Sequence, residues 1–139
     1  IVGIKDSSGD LTLTGEYIRQ ADSDFAVLAG RDTLILATLL YGGRGAVAAT
    51  ANVAPKLAVE IYEAFMEGDL DRAKRAQEQL NPVRLAFGLG SFPAVIKEAL
   101  ELMGLPVGPA RLPVGPMEES QREILKGILG ELGYLGTFR

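Results

Sequence analysis

At 139 residues, with 47% hydrophobic and 23% charged, the chain has the balance of a globular domain with a core of its own, not of a disordered tract. Its net charge of −4 offers no basic face for nucleic acid, and no apolar stretch approaches the roughly 18 residues that a membrane span needs. With neither cysteine nor histidine, the chain holds no disulfide, thiol nucleophile, histidine triad or Cys/His-ligated metal, so any catalysis rests on Lys, Tyr, Ser/Thr or carboxylates.

Ile1–Lys5 reads as a strand from the first residue, with no initiator Met or leader, as if the chain were cut in the middle of a fold. Asp6-Ser7-Ser8-Gly9-Asp10 is turn and N-cap chemistry, and a helix follows over about Leu11–Ala21. Phe25–Ala29 is the second strand, closed by Gly30, and Asp32 is expected to cap a helix through Tyr41. Gly42-Gly43-Arg44-Gly45 breaks that helix, and Ala46–Ala49 makes a third short strand.

From Pro55 the period becomes helical. Leu57, Ala58, Ile61, Ala64 and Phe65 mark a helix over Pro55–Met66, ending at Gly68. Asp69 caps the next helix, which reaches Leu80 or beyond, with Pro82 kinking it or ending it. A helix over Phe92–Met103 stops at Gly104, Gly108–Pro116 is extended, and a last helix opens at or just before Ser120 and runs to about Leu132.

Three strands separated by helices imply parallel pairing, and an open sheet of three would leave both edges bare. A (β/α)8 barrel typically takes about 250 residues. The expected fold is therefore α/β, the C-terminal portion of a TIM barrel followed by a helical bundle. Residues 1–53 hold its last three βα units, and residues 54–139 hold the final barrel helix and a helical extension.

Lys5 is the candidate nucleophile. Lys56, Lys74, Lys97 and Lys126 sit in helical stretches, whereas Lys5 ends an apolar strand. Alternation puts Lys5 on the face opposite Val2 and Ile4, so helices packed on those two would turn Lys5 inward at the strand end where barrel sites lie. An amine partly desolvated there is freed to attack a ketone, although a strand-end lysine reaching solvent fits the same position. Gly42–Gly45 has the composition of an anion cradle but lacks phosphate-loop spacing, which favours a tight connection. Asp6, Ser7 and Ser8 suit capping better than substrate binding, Asn52 suits a turn, and Asp69 and Asp71 suit helix starts. Tyr17, Tyr41, Tyr62 and Tyr134 fall in helical or terminal segments, and none has the setting of a catalytic phenol.

Ile1-Val2-Gly3-Ile4-Lys5-Asp6-Ser7-Ser8-Gly9-Asp10 resembles the sixth-strand motif of the dihydrodipicolinate synthase/N-acetylneuraminate lyase family of class I pyruvate aldolases. Leu28-Ala29-Gly30-Arg31-Asp32 resembles its seventh strand and turn, and the stretch from Gly42 to Val53 its eighth strand and loop. Ala110-Arg111-Leu112-Pro113-Val114-Gly115-Pro116 resembles a further signature in the tail.

The resemblance implies that Lys5 forms an imine with pyruvate or another 2-oxo acid, and that Val47 lies near the pyruvate methyl group, where barrel packing is its other reading. It implies no cofactor and no metal, a cytoplasmic homotetramer, and an aldehyde as second substrate. The first choice is condensation with aspartate semialdehyde in lysine biosynthesis. The second is cleavage of 4-hydroxy-2-oxoglutarate or a 2-keto-3-deoxy sugar acid, since Gly90-Ser91-Phe92-Pro93 departs from the Asn-Pro form of many synthases. The family's proton-shuttling tyrosines and carboxylate-binding Gly-Thr loop have no counterpart in this sequence. A non-catalytic half-barrel that assembles with a partner is the reading from another class.

Overall fold

The computed structural model describes residues 1–137. Its sheet has three parallel strands in chain order: β1 (Gly3–Asp6), β2 (Ala26–Ala29) and β3 (Gly45–Ala46). Helix α1 (Leu11–Gln20) joins β1 to β2, and a 3-10 turn (Asp32–Leu34) leading into α2 (Ile35–Leu40) joins β2 to β3. The helices α3 (Pro55–Met66), α4 (Leu70–Ala86), α5 (Ala94–Met103) and α6 (Glu119–Glu131) follow. Among the described residues no helix is long and apolar enough to cross a membrane.

Two compact units are present. The first comprises residues 1–51 and 55–81, the second residues 52–54 and those from Pro82 onward. In the first, Val27 and Ala29 of β2 are buried along with Ile35 and Leu39 of α2 and Ile61 and Ala64 of α3, and α2 packs on α3. In the second, α5 packs on α6, burying Val95, Ala99 and Met103 and, from α6, Leu125 and Leu129.

Local chemistry explains most element ends. Asp10 caps α1, accepting from the amides of Thr12 and Leu13, and Asp69 does the same for α4 through the amide of Arg72. Gly104 closes α5 in the left-handed conformation, φ 95°. Pro82 lies inside α4, which continues through it to Ala86.

Several expected boundaries move, each for a physical reason. The first strand is Gly3–Asp6 and not Ile1–Lys5; Ile1 and Val2 are exposed, although the carbonyl of Val2 still accepts from the amide of Ala26. Asp32 does not cap its helix. Its carboxylate accepts the amide of Thr50 instead, and α2 proper starts at Ile35. The third strand is Gly45–Ala46 instead of Ala46–Ala49, because the chain there turns to bring the Thr50 amide to Asp32. Helix α5 starts at Ala94; Pro93, which lacks an N–H, stands just ahead of the first turn, where none is needed.

The glycine run is a tight connection. The amides of Gly42, Gly43 and Arg44 donate to the carbonyls of Leu39, Thr38 and Val27, so none of these three is left to cradle an anion. A Cβ on Gly43 would stand 2.5 Å from the Thr38 methyl carbon and 2.8 Å from its carbonyl oxygen, which makes glycine obligatory there. Further on, β3 carries a bulge: Arg44 N–H donates to Val27 O, but Val47 N–H donates to Ala29 O. Between these bonds the chain advances three residues against two in β2; Gly45 and Ala46 themselves pair one to one with Leu28 and Ala29, so the extra step falls at the entry to β3, where Gly45 takes φ 148°.

Ile61 has 0% exposure at the centre of the first unit. Ile61→Ala should lower unfolding free energy by about 2–5 kcal/mol, read as a lower urea midpoint at unchanged m-value.

Candidate functional site

Strand register determines what surrounds Lys5. Lys5 pairs with Leu28, and Leu28 with Gly45; one residue on, Asp6 pairs with Ala29, and Ala29 with Ala46. The second set lies on the helix-covered face, where Val27, Ala29 and Asp6 are buried and half-buried Ile4 shares a groove with Leu13 and Tyr17 of α1. Lys5 therefore points away from the helices, at the C-terminal end of β1. Ile4 meets the expectation of packing under a helix; Val2 is exposed instead. Lys5 is exposed too, since no described element covers the opposite face of the sheet, and these residues do not supply the desolvation expected for it.

The lysine side chain rests on Gly30. A Cβ at that position would lie 2.7 Å from Lys5 Cε and 2.8 Å from Asp6 O, and would also strike the Ser7 hydroxyl. The amide of Gly30 donates to Asp6 O at 2.7 Å. A bare Cα at the end of β2 thus lets the lysine and a serine hydroxyl lie on the backbone together. Val47 is half-exposed, and its amide donates to Ala29 O at 2.8 Å, so Lys5 and Val47 both meet β2 at its last residues.

Asp6 does more than start a turn. It is 8% exposed, and its carboxylate accepts from the Thr14 hydroxyl of α1 and from the amide of Ser8. Burial pushes its carboxyl up, but the Thr14 hydroxyl, with the amide and hydroxyl of Ser8, outweighs burial and holds it below the ordinary value. Ser8 Oγ accepts from the amide of Asp10, the actual cap of α1. Asp32, 2% exposed, ties the turn after β2 to the loop after β3 through Thr50, and its carbonyl accepts from Gln77 of α4. Sequence reasoning passed over Gly30 and the burial of Asp6. The Lys-Asp pair ending a strand and the Gly closing the next were the available signals. Among the described residues no group of acidic side chains could hold a metal ion.

The model of the dihydrodipicolinate synthetase family matches residues 1–132. The chain belongs to that family. It is 41% identical over 135 residues to a 4-hydroxy-tetrahydrodipicolinate synthase of Methanopyrus kandleri, covering 97% of this chain and 45% of that protein. A family protein of Escherichia coli K12, a prophage product solved in complex with pyruvate, superposes with a TM-score of 0.90 at 34% identity, covering 96% of this chain and 47% of that one. The dihydrodipicolinate synthase of Thermotoga maritima superposes at 0.91 with 34% identity, over 97% of this chain and 47% of that one. The chain thus spans just under half the length of these relatives.

In this family member, removing the Thr14 hydroxyl isolates the role of the buried carboxylate. A carboxyl held below its ordinary value stabilises the fold fully above the carboxylate range, and that contribution is lost as pH falls through its lowered value. Thr14→Val should cost about 1–3 kcal/mol near neutral pH, with the gap to the parent narrowing in thermal melts below about pH 4.

Proposed function

We propose that the polypeptide carrying this sequence is a Schiff-base-forming lyase or synthase that condenses pyruvate with an aldehyde, with Lys5 as nucleophile and Val47 beside the pyruvate methyl group. The observation that carries the reading is the seat of Lys5, at the C-terminal end of its strand and on the bare backbone of Gly30. Family membership and the names of the curated relatives support it.

The chemistry runs as follows. The neutral amine of Lys5 attacks the pyruvate ketone and water leaves, giving a protonated imine. That imine draws electrons from the methyl group, which loses a proton to become an enamine. The enamine carbon adds to the aldehyde carbon, the aldehyde oxygen takes up a proton, and water releases the product from Lys5. The protonated imine is itself the electron sink, so the reaction calls for neither a metal nor an organic cofactor.

In this reading the sheet is strands six to eight of a (β/α)8 barrel, whose other strands cover the Lys5 face and supply the proton shuttle. The complete protein assembles as a homotetramer. Condensation with aspartate semialdehyde is the preferred assignment, supported by curated relatives that carry the name 4-hydroxy-tetrahydrodipicolinate synthase. Cleavage of 4-hydroxy-2-oxoglutarate or a 2-keto-3-deoxy sugar acid is the second reading, favoured by Gly90-Ser91-Phe92-Pro93.

Borohydride treatment with pyruvate, followed by intact mass and peptide mapping, tests the assignment. One adduct on the Lys5 peptide is expected, with none in Lys5→Arg; a complete polypeptide that gave no adduct would sink the reading. Gly30→Ala should slow trapping roughly ten- to hundredfold, because the new methyl group displaces the lysine side chain. Residues 1–139 alone should show little or no turnover, since Tyr17 and Tyr62 lie within α1 and α3, and Tyr41 and Tyr134 lie beyond the ends of α2 and α6. Steady-state rates matching a complete family enzyme would refute that expectation.

A further inference from the structure

Ser7 is the last residue on the Lys5 side of β1 before the chain turns towards α1. Strand alternation sets residues 5 and 7 on one face and Asp6, whose carboxylate reaches Thr14 of α1, on the other. The ladder holds this end of the strand as far as Asp6, whose carbonyl accepts the Gly30 amide at 2.7 Å. The turn proper starts one residue later, where the Ser8 amide donates to the Asp6 carboxylate.

Gly30 shows how near the two side chains stand. A Cβ on Gly30 would lie 2.7 Å from Lys5 Cε and closer still to Ser7 Oγ. Both side chains therefore border one point, and Ser7 Oγ is less than twice 2.7 Å from Lys5 Cε. The amine nitrogen is one bond beyond Cε, so a group carried on it comes within the roughly 2.5–3.0 Å of an O–H···O hydrogen bond to Ser7.

The local turn chemistry is carried by other residues. Asp10 caps α1, Ser8 Oγ accepts from the amide of Asp10, and the Thr14 hydroxyl donates to Asp6. Ser7 enters none of these bonds, and it is exposed on the side of the sheet where Lys5 is exposed.

We infer that the Ser7 hydroxyl is a catalytic group of imine formation, donating a hydrogen bond to the oxygen that pyruvate loses as water. This rests on the Lys5 reading above and adds a residue to its first step. Attack forms the N–C bond and moves one amine proton to the ketone oxygen, leaving a carbinolamine. The C–O bond then breaks, the nitrogen lone pair closes the C=N bond, and the oxygen departs with a second proton. Ser7 relays that proton, giving its own and regaining one from solvent, so the serine ends unchanged. In the reverse direction the same hydroxyl guides the water that frees the product from Lys5.

The test mixes the complete polypeptide in which this sequence occurs with saturating pyruvate, quenches with borohydride at timed intervals, and follows labelled Lys5 by peptide mass. Ser7→Ala should slow the appearance of labelled Lys5 at least tenfold, with its final level and the urea midpoint close to the parent's. Ser7→Thr, which keeps the hydroxyl, should recover most of the rate. Ser8→Ala, which removes the turn hydroxyl that Asp10 uses, should label at the parent rate. Parent-rate labelling of Ser7→Ala overturns this inference alone. So does equal slowing in Ser7→Ala and Ser8→Ala, or a loss that Ser7→Thr leaves unrestored. No labelling of Lys5 in the parent overturns the functional reading, and this inference with it.

Discussion

The close approach of β1 to β2 at Gly30 is the constraint from which the site follows. A parallel ladder brings Asp6 O to the amide of Gly30 at 2.7 Å, and at that spacing a side chain on residue 30 would occupy the space of Lys5 and Ser7. Because residue 30 has none, the lysine lies along the end of the neighbouring strand, held by the backbone without a side-chain partner. The position of the lysine backbone and the direction of its Cα–Cβ bond thus come from sheet geometry, which is rigid on the scale of a core strand. A loop would hold it far less precisely.

Two buried carboxylates hold the loops around that junction. Asp6 fastens the turn after β1 to α1 through Thr14, and Asp32 fastens the turn after β2 to the loop after β3 through Thr50. Each is satisfied by neutral donors, and neither is offered to a cation. Burying a carboxylate is tolerable only when its oxygens are hydrogen-bonded, and here the same bonds that satisfy it also shape the rim. One consequence is that, among the described residues, neither carboxylate is paired with Lys5 or Arg31. The other is that the rim has little freedom, since moving either loop would strip a buried charge of its partners.

The bulge in β3 acts in the same direction. Inserting one residue between the bonds of Arg44 and Val47 lets the chain leave the ladder directly after Val47 and reach Asp32 within three residues. Conformation decides this, not side-chain character, because φ 148° is open to Gly45 and strained for other residues.

Residue pattern alone determined a good deal about this protein. The alternation of short apolar runs with helical periods announced parallel βα units, and the Asp-headed starts of α1 and α4 and the glycine ending α5 were readable because capping is local chemistry. Lys5 stood apart because it ends a strand and the other lysines do not, and the strand motifs indicated the family. Tertiary structure alone decided where Asp32 spends its carboxylate, because Thr50 lies 18 residues away and a local reading assigns an Asp before a helix to its cap. It also decided that β3 is two residues long with a bulge, that Asp6 is buried, and that Gly30 is the seat of the lysine. Each of these depends on which strand lies beside which and at what register, and contacts across a sheet leave no periodic trace in the sequence of either strand.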